Sequence, residues 1–234
     1  MNAALVRVSG VGKRYPTGDG EVTVLHGVDL ELYAGELTLL MGPSGSGKTT
    51  LVSILAGLLR PSAGRVELCG AAISELDEAA VSRVRRAHVG FIFQTYNLFP
   101  GLTVLDNVAL GFRMRGRAIA VAREQAAGAL ASVGLSERAR FLPEQLSSGQ
   151  KQRVAVARAL SGGPAVVIGD EPTAALDTPS AMAVLGLLRE RVTADSAVLV
   201  VTHDSRLEQY AHRTLYMADG RIVSERRHQP RGEA

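Results

Sequence analysis

The chain has 234 residues, with 26 basic and 23 acidic side chains, one cysteine and no tryptophan. This length can form one domain, or two small ones, with a sizeable core, and 46% hydrophobic with 21% charged residues is typical of a globular protein. The single cysteine excludes an intrachain disulfide framework, and the net charge of +3 is too small to indicate a nucleic-acid partner.

Membrane insertion is not predicted from the sequence. No apolar run approaches the roughly 20 residues that a membrane-spanning helix needs. The first residues lack a long apolar core behind a basic start, so we expect no signal peptide. We therefore expect a cytoplasmic chain that would reach the membrane only through a partner.

Short apolar runs alternate with helical patterns, which predicts an α/β fold with a largely parallel sheet. In the first third, alternating or β-branched runs predict a small antiparallel layer formed by residues 5–11, 21–32 and 64–70. Residues 37–42 form a predicted buried strand that leads into a glycine-rich loop, and a helix is expected from about Lys48 to Leu59.

The second half predicts a helical block followed by a return to strands. After a buried strand at 89–93, residues of about 103–160 have helical spacing. Strands are predicted at 165–170 and 197–204, with a helix near 180–192 and a final hairpin at 214–223. This organisation predicts one domain over 1–224, with an α/β core of about 1–94 and 162–224, a helical subdomain of about 95–161 and a flexible tail of 225–234.

The strongest local signal is GPSGSGKT at residues 42–49, which fits the pattern G-x-x-x-x-G-K-[ST] between a strand and a helix. Glycines let backbone N–H groups point at phosphate oxygens, and the helix adds its positive N-terminal end. Lys48 is expected to reach the β- and γ-phosphates, and the Thr49 hydroxyl to ligate Mg²⁺. A glycine-rich turn is the simpler alternative. The predicted nucleotide-binding residues are Gly42, Pro43, Ser44, Gly45, Ser46, Gly47, Lys48, Thr49 and Thr50.

An acidic pair follows the predicted strand at 165–170. Asp170 ends an apolar run, where a nucleotide-hydrolysing P-loop protein holds Mg²⁺. Glu171 follows it and is a candidate general base for the attacking water. An acidic turn at a strand end is common, so this signal gains its weight from the phosphate loop.

The run LSSGQKQRVAVARAL begins at Leu146, and Ser147 is a natural N-cap for the helix that follows. Alone it indicates only a capped helix. It closely resembles, however, the LSGGQ signature of the ATP-binding cassette (ABC) ATPases. The resemblance implies that Ser147, Ser148, Gly149 and Gln150 close over the γ-phosphate of ATP held by a second subunit in a head-to-tail dimer.

The resemblance extends over roughly residues 4–224 and keeps the family's order of motifs. It implies that Gln94 contacts Mg²⁺ and the attacking water, and that His203 contacts the γ-phosphate. It also implies that residues 175–177 cross the dimer interface, with Asp177 near the nucleotide, and that Tyr15 stacks on adenine. The implied fold is a RecA-like P-loop NTPase core with an N-terminal antiparallel β layer and an inserted helical subdomain.

Two positions depart from the family pattern. Ser148 replaces the usual glycine of the signature, and its Cβ is expected to restrict the backbone near the γ-phosphate. Gly169 replaces a larger residue before Asp170, which predicts looser packing at that strand end.

The resemblance implies an ATP- and Mg²⁺-dependent ATPase that drives a separate membrane permease. GFIFQTYNLFPGLTVLDNV and DEPTAALD are most similar to the lipoprotein-release and macrolide-exporter branch, whose permease has a large extracytoplasmic domain. VTHDSRLEQYAHRTLYMADGRI is more similar to members that export glycolipid or heme. The expected cargo is therefore hydrophobic or lipid-like, and the expected location is the inner face of the membrane. Residues 95–104, including Phe99, are expected to dock on the permease unless they tuck beneath their own loop.

Other classes of ABC ATPase are possible alternatives. A DNA-repair member usually has a coiled coil between the P-loop and the signature, and a ribosome-acting member has two cassettes, neither of which this sequence contains. A regulatory ATPase that acts through a permease-like partner on a cell-wall enzyme or sensor remains the main alternative, because fold and site do not fix function.

Overall fold

The computed structural model describes residues 4–18, 20–174 and 176–228. Its first layer is a three-stranded antiparallel sheet, as the sequence predicted. Strand β1 (Ala4–Thr17) pairs with β2 (Gly20–Tyr33) on one side and with β4 (Ala63–Leu68) on the other.

The second layer is a six-stranded sheet with the order β5-β6-β7-β3-β8-β9. Its first five strands are parallel, and β9 pairs antiparallel with β8. Every residue of β3, β6 and β7 is buried, as expected for parallel strands covered on both faces. The strands are β3 (Leu37–Met41), β5 (Val89–Ile92), β6 (Val166–Asp170), β7 (Ala197–Val201), β8 (Arg213–Ala218) and β9 (Arg221–Arg227).

Six α-helices lie within the described ranges: α1 (Lys48–Leu55), α2 (Glu78–His88), α3 (Val104–Met114), α4 (Ile119–Ser132), α5 (Ser148–Leu160) and α6 (Thr178–Glu190). Short 3₁₀ helices occupy Ser136–Arg138, Pro143–Gln145 and Ser205–Tyr210. No helix in this part of the chain has the length and apolar character that crossing a bilayer requires.

Helix α1 is shorter than the sequence predicted, ending at Leu55 rather than Leu59. Gly57 follows with a φ of 65°, the left-handed conformation that commonly terminates a helix. The apolar residues keep helical spacing as far as Leu59, but the glycine ends the helix before that residue.

Helix α2 was not predicted, because its sequence lacks a continuous apolar stripe and none of its residues is buried. Its start nevertheless has a local signal. The Asp77 side chain caps the helix by accepting a hydrogen bond of 2.7 Å from the backbone N–H of Ala80.

Helices α3, α4 and α5 share a hydrophobic core distinct from the two cores that line the sheets. Its buried members include Val104, Val108, Phe112, Ala122, Ala126, Leu130, Val154 and Ala157. The sequence predicted helical structure over about 103–160, with named apolar spacing for α4 and α5, and the shared core gives the block a packing unit of its own.

The C-terminal hairpin extends further than the sequence predicted. Strand β9 runs to Arg227, which pairs with Arg213 of β8, so residues 225–227 belong to the sheet rather than to a flexible tail. Backbone pairing with β8 orders these polar residues without requiring an apolar pattern. Residues 229–234 of the predicted tail lie outside the described residues.

Close packing around Gly90 leads to a first prediction. A Cβ at this position of β5 would lie 2.2 Å from the backbone oxygen of Ala159 and 3.0 Å from Pro164. Gly90→Ala should therefore destabilise the protein by about 1–3 kcal/mol in urea unfolding, because the strand and α5 must separate.

Gly128→Ala is the matched control, because nothing beyond the backbone of α4 itself lies within 4 Å of a Cβ built there. It should raise stability by about 0.5–1 kcal/mol through helix propensity. Equal stability of the Gly90→Ala and wild-type proteins would show that the contact between β5 and α5 adjusts without cost.

Candidate active site

The sheet order brings the predicted site residues to one edge. Strands β5, β6, β7 and β3 are parallel neighbours, so their carboxyl ends lie side by side. Gln94 follows β5, Asp170 ends β6, His203 follows β7, and the loop of residues 42–47 follows β3. The sequence predicted each of these groups, and the sheet places them in a row.

The loop between β3 and α1 begins at a glycine that no other residue could replace. Gly42 has a φ of 151°, and a Cβ there would lie 2.0 Å from the backbone oxygen of Met217 at the end of β8. The sequence pattern identified Gly42, but only the packing shows that β8 forms the wall behind the loop.

Lys48 lies inside this loop with only 7% of its surface exposed. Its ammonium donates hydrogen bonds of 2.9 Å to the oxygen of Gly42 and 2.7 Å to that of Pro43. Helix α1 starts after Gly47, and no side chain caps it. The curled loop, the buried cation and the uncapped helix start together form an anion-binding cradle.

Thr49 and Asp170 form the second part of the site. The Thr49 hydroxyl donates to the Asp170 carboxylate over 3.4 Å, and Asp170 is 6% exposed. Burial raises the pKa of Asp170, and the charge of Glu171 adds to that shift, whereas the Thr49 bond and the Lys48 charge oppose it. Two oxygen ligands suited to a hard cation therefore converge here.

The raised pKa of Asp170 predicts that this residue destabilises the nucleotide-free protein. The folded state binds the proton more tightly than the unfolded state, so stability falls as pH rises through the window between the two pKa values. Asp170→Asn removes this penalty. It should raise the melting temperature at pH 8, by about 2–4 °C per kcal/mol of penalty removed.

The difference between Asp170→Asn and wild type should shrink as the pH falls below the folded pKa and vanish below the unfolded pKa, where both states are protonated. Differential scanning fluorimetry at pH 8 and pH 5 measures it. Asp195→Asn, at an exposed position, is the control and should have little effect. If Asp170→Asn melts at or below the wild-type temperature at pH 8, burial of the Asp170 charge does not destabilise the folded protein.

Glu171 lies between two predicted polar partners. Gln94 Nε2 donates to Glu171 Oε2 over 3.4 Å, and His203 Nδ1 is 3.8 Å from Oε1. The backbone of Glu171 has a φ of 48°, and its N–H donates to the oxygen of Val201 over 3.1 Å. A left-handed conformation in a glutamate is unfavourable, and strain of this kind concentrates at functional sites.

The loop after β7 contains a clamp that was not predicted from the sequence. Asp204 accepts hydrogen bonds from the guanidinium of Arg206 at 2.7–3.1 Å, and its backbone N–H donates to the Thr202 hydroxyl over 3.0 Å. Arg206 holds the pKa of Asp204 below its usual value. The alternation of charges in the segment HDSR was the available signal. A cavity of about 410 Å³ beside His203 and Glu171 is lined partly by this loop.

The signature segment has the N-cap that the sequence predicted. Ser147 Oγ accepts from the N–H of Gln150 over 3.3 Å, and Gln150 Oε1 accepts from the N–H of Ser147 over 3.0 Å. Ser148 is the first residue of α5 and has right-handed helical geometry. Its Cβ therefore imposes no strain on the backbone of this chain, and the expected restriction near the γ-phosphate stays a prediction.

Gly149 packs against Ser180 of α6. A Cβ at position 149 would lie 3.0 Å from Ser180 Oγ.

Gly169 does not loosen the end of β6, contrary to the expectation from the sequence. It is buried, and a Cβ there would lie 2.9 Å from the ring of Pro172. The proline folds back over the glycine and fills the space that a larger side chain would take.

Two further predicted residues lie on exposed parts of the fold. Tyr15 on β1 is 36% exposed, and the Lys13 ammonium lies 5.1 Å from the centre of its ring. Asp177 is the N-cap residue of α6, although its side chain makes no capping hydrogen bond. Ala175 lies outside the described residues.

A family model described as ABC transporter matches residues 25–174, which include the phosphate loop, Gln94, the signature and Glu171. This chain belongs to the ABC transporter family. It is an ABC ATPase domain, as the sequence resemblance implied.

Similar proteins agree with this assignment. The macrolide export ATP-binding/permease protein MacB of Burkholderia pseudomallei (strain 1710b) is 44% identical over 226 residues, which cover 97% of this chain and 35% of that protein. MacB of Pectobacterium atrosepticum is 40% identical over 230 residues, covering 98% of this chain and 35% of that protein. The ABC ATPase domain thus spans about a third of the length of these relatives.

The fold is also that of solved cassettes. A dimeric, post-hydrolysis structure of the ATP-binding cassette MJ0796 bound to ADP and Pi superimposes with a TM-score of 0.89 at 36% identity. The match covers 95% of this chain and 98% of that one. The likeness confirms the predicted P-loop NTPase fold with its antiparallel layer and helical elements.

Proposed function

We propose that this ABC ATPase domain binds two ATP molecules in a head-to-tail dimer with a second copy, and that the dimer drives export through a membrane permease. The observation that carries the proposal is the position of Glu171. Its carboxylate lies between Gln94 and His203, and Glu171 directly follows Asp170, which contacts Thr49 next to Lys48. A carboxylate held between an amide and an imidazole, at the edge of a phosphate cradle, suits a general base for water.

Each group of the cradle has a part in the proposed chemistry. Lys48 and the start of α1 bind the phosphates, and Glu171 accepts the proton of the attacking water. Gln94 orients that water, and His203 contacts the γ-phosphate. Tyr15, whose ring is accessible, stacks on the adenine.

The residues beside Lys48 fit Mg²⁺. Among the described residues no three His, Cys, Asp or Glu side chains cluster as a metal site, but Mg²⁺ bound with nucleotide needs only one or two carboxylates besides the phosphates. The Thr49 hydroxyl and the buried Asp170 carboxylate are the ligands we propose, with Gln94 alongside. When bound, the ion neutralises phosphate charge.

The head-to-tail arrangement is supported by the signature segment. The side chains of Ser147 and Gln150 each accept from the other's backbone N–H, and within the described residues neither side chain bonds to the chain's own phosphate loop. Serine hydroxyls and a helix N-terminus form an anion-binding surface. Ser147, Ser148, Gly149 and Gln150 would serve the partner's ATP, and Asp177 would face the interface.

The permease partner is proposed from the relatives. The MacB proteins are named ATP-binding/permease proteins for macrolide export, and this chain matches about a third of each. We propose a permease with a large extracytoplasmic domain, a hydrophobic or lipid-like cargo, and a position at the inner face of the membrane. Phe99, which is 55% exposed, lies in the loop we propose as the docking surface.

Capture of the permease tests this function. The Glu171→Gln variant with ATP and Mg²⁺ should retain a multi-span permease from solubilised native membranes, identified by mass spectrometry. Lys48→Met, which should bind ATP about 10- to 100-fold more weakly, is the control bait at an ATP concentration that still saturates the Glu171→Gln variant. Recovery of a permease together with a cell-wall hydrolase would favour a regulatory ATPase, and recovery of soluble proteins alone would contradict the transport function.

A further inference from the structure

The segment after Gln94 is held in an unfavourable backbone conformation. Tyr96 and Asn97 have φ values of 61° and 47°, so two consecutive residues that are not glycine adopt left-handed geometry. Each such residue costs on the order of 1–3 kcal/mol and persists only where its surroundings impose it. Something in the fold must therefore hold this segment in place.

Arg158, near the C-terminal end of α5, is the group that holds it. Its Nη1 donates to the oxygen of Asn97 over 2.6 Å, and its Nη2 donates to that of Tyr96 over 2.7 Å. The planar guanidinium thus contacts both left-handed residues at once, a geometry that a lysine cannot reproduce. Burial lowers the pKa of Arg158, and the structure shows no acidic partner for it within the described residues.

The remainder of the loop is fixed to a different helix. The buried Asn107 of α3 accepts from the N–H of Phe99 over 2.8 Å and donates to the oxygens of Phe99 and Leu102. The portion nearest Gln94 is therefore tied to α5, and the distal portion is tied to α3. Movement between these helices would act on the backbone just after Gln94.

Helix α5 is also the helix that begins with the signature. Ser147 caps its first turn, and Arg158 lies roughly 16 Å further along the axis at about 1.5 Å per residue. Gln94 in turn donates to the carboxylate of Glu171. Helix α5 therefore links two places. Its start is the surface proposed to meet the partner's ATP, and Arg158 near its end holds the backbone just after Gln94, whose side chain contacts Glu171.

We infer that Arg158 is a positioning residue that transmits engagement of the signature helix to Gln94, and so couples the two ATP sites of the dimer. Displacement of α5 when Ser147 meets the partner's nucleotide would pull on Tyr96 and Asn97 through the guanidinium. Gln94 would then take the position that orients the water at Glu171. The inference rests on the proposed head-to-tail dimer.

Steady-state ATP hydrolysis by the isolated chain tests the inference with Arg158→Gln, Arg158→Lys and a matched control. Arg158→Gln should lower kcat about tenfold or more while KM for ATP stays within about twofold, because no nucleotide contact is removed. Arg158→Lys should restore part of kcat, since an ammonium still donates to at least one carbonyl.

Arg115→Gln is the matched control. The Arg115 guanidinium is also partly buried, and within the described residues it donates to the backbone oxygens of Gly111 at 3.4 Å and of Val89 at 3.1 Å. Val89 lies at the start of β5, away from Gln94. It should lower the melting temperature without a matching loss of kcat.

A kcat within twofold of wild type in Arg158→Gln, or an equal loss in Arg115→Gln, would overturn the coupling role. If Arg158→Gln does not fold, Arg158→Lys tests the coupling role instead. A wild-type kcat in Arg158→Lys would also contradict that role. Light scattering of Glu171→Gln with ATP separates the two proposals. If Glu171→Gln with ATP forms no dimer, both the proposed function and this inference are contradicted. If it forms a dimer and the kcat of Arg158→Gln equals that of wild type, only this inference is contradicted.

Discussion

Replacing Glu171 with glutamine is expected to reduce ATP hydrolysis by about 10²- to 10⁴-fold while ATP binding is preserved. The amide keeps the size of the side chain but cannot accept the proton of the attacking water. Gln94 and His203 remain in place, because each can still hydrogen-bond to an amide. Release of inorganic phosphate and equilibrium binding of a fluorescent ATP analogue measure the two effects.

The same variant should accumulate as an ATP-bound dimer, because hydrolysis is the step that would reopen it. Light scattering with ATP and Mg²⁺ should report twice the mass found with ADP. Glu190→Gln, an exposed change at the end of α6, is the control and should keep wild-type turnover. Turnover above half of the wild-type rate in Glu171→Gln would mean that another group is the base.

Replacing Lys48 with methionine should weaken ATP binding by about 10- to 100-fold, the loss expected when charge-assisted hydrogen bonds to phosphate are removed. Lys48 is buried against the backbone oxygens of Gly42 and Pro43, so methionine removes the ammonium that these groups hold in the loop. Methionine keeps most of the side-chain volume, which limits collapse of the loop. Isothermal titration calorimetry with ATP and Mg²⁺ measures the affinity.

Arg65→Met is the charge-matched control for Lys48→Met. Arg65 is half-exposed on β4 and pairs with Glu67 and Glu75, so its loss removes one positive charge far from the loop. ATP affinity should then stay near the wild-type value. Undiminished affinity in Lys48→Met itself would contradict the phosphate-binding role of the loop.

The two variants separate binding from chemistry because the groups occupy different strand ends. Lys48 follows β3, whereas Glu171 follows β6, and β7 lies between these strands in the sheet. Loss of Lys48 should therefore weaken binding and lower hydrolysis together, and loss of Glu171 should lower hydrolysis alone. The raised pKa of Asp170, beside Glu171 at the end of β6, predicts an electrostatic cost at this site in the nucleotide-free protein.

Most of the local structure could be predicted from the sequence, because its signals are local. The run GPSGSGKT fixes a turn and a helix start, the serine at 147 predicts a cap, and β-branched runs predict buried strands. Helix α2 was not predicted because it buries no residue and so has no apolar stripe. Strand β9 was predicted too short because its last residues are polar and are held by backbone pairing, which produces no side-chain pattern. The motif positions belong to a family pattern, which is why Gln94 and His203 could be named in advance.

The sequence by itself determined the family, the strand and helix types and the groups available for chemistry, since these depend on residues close together along the chain. The tertiary structure decided which strands are neighbours, and so which of those groups meet. It alone placed Met217 behind Gly42, and it alone joined Arg158 to the backbone after Gln94. These contacts join residues distant in sequence, and many use backbone atoms, which every residue has and which therefore leave no mark in the sequence.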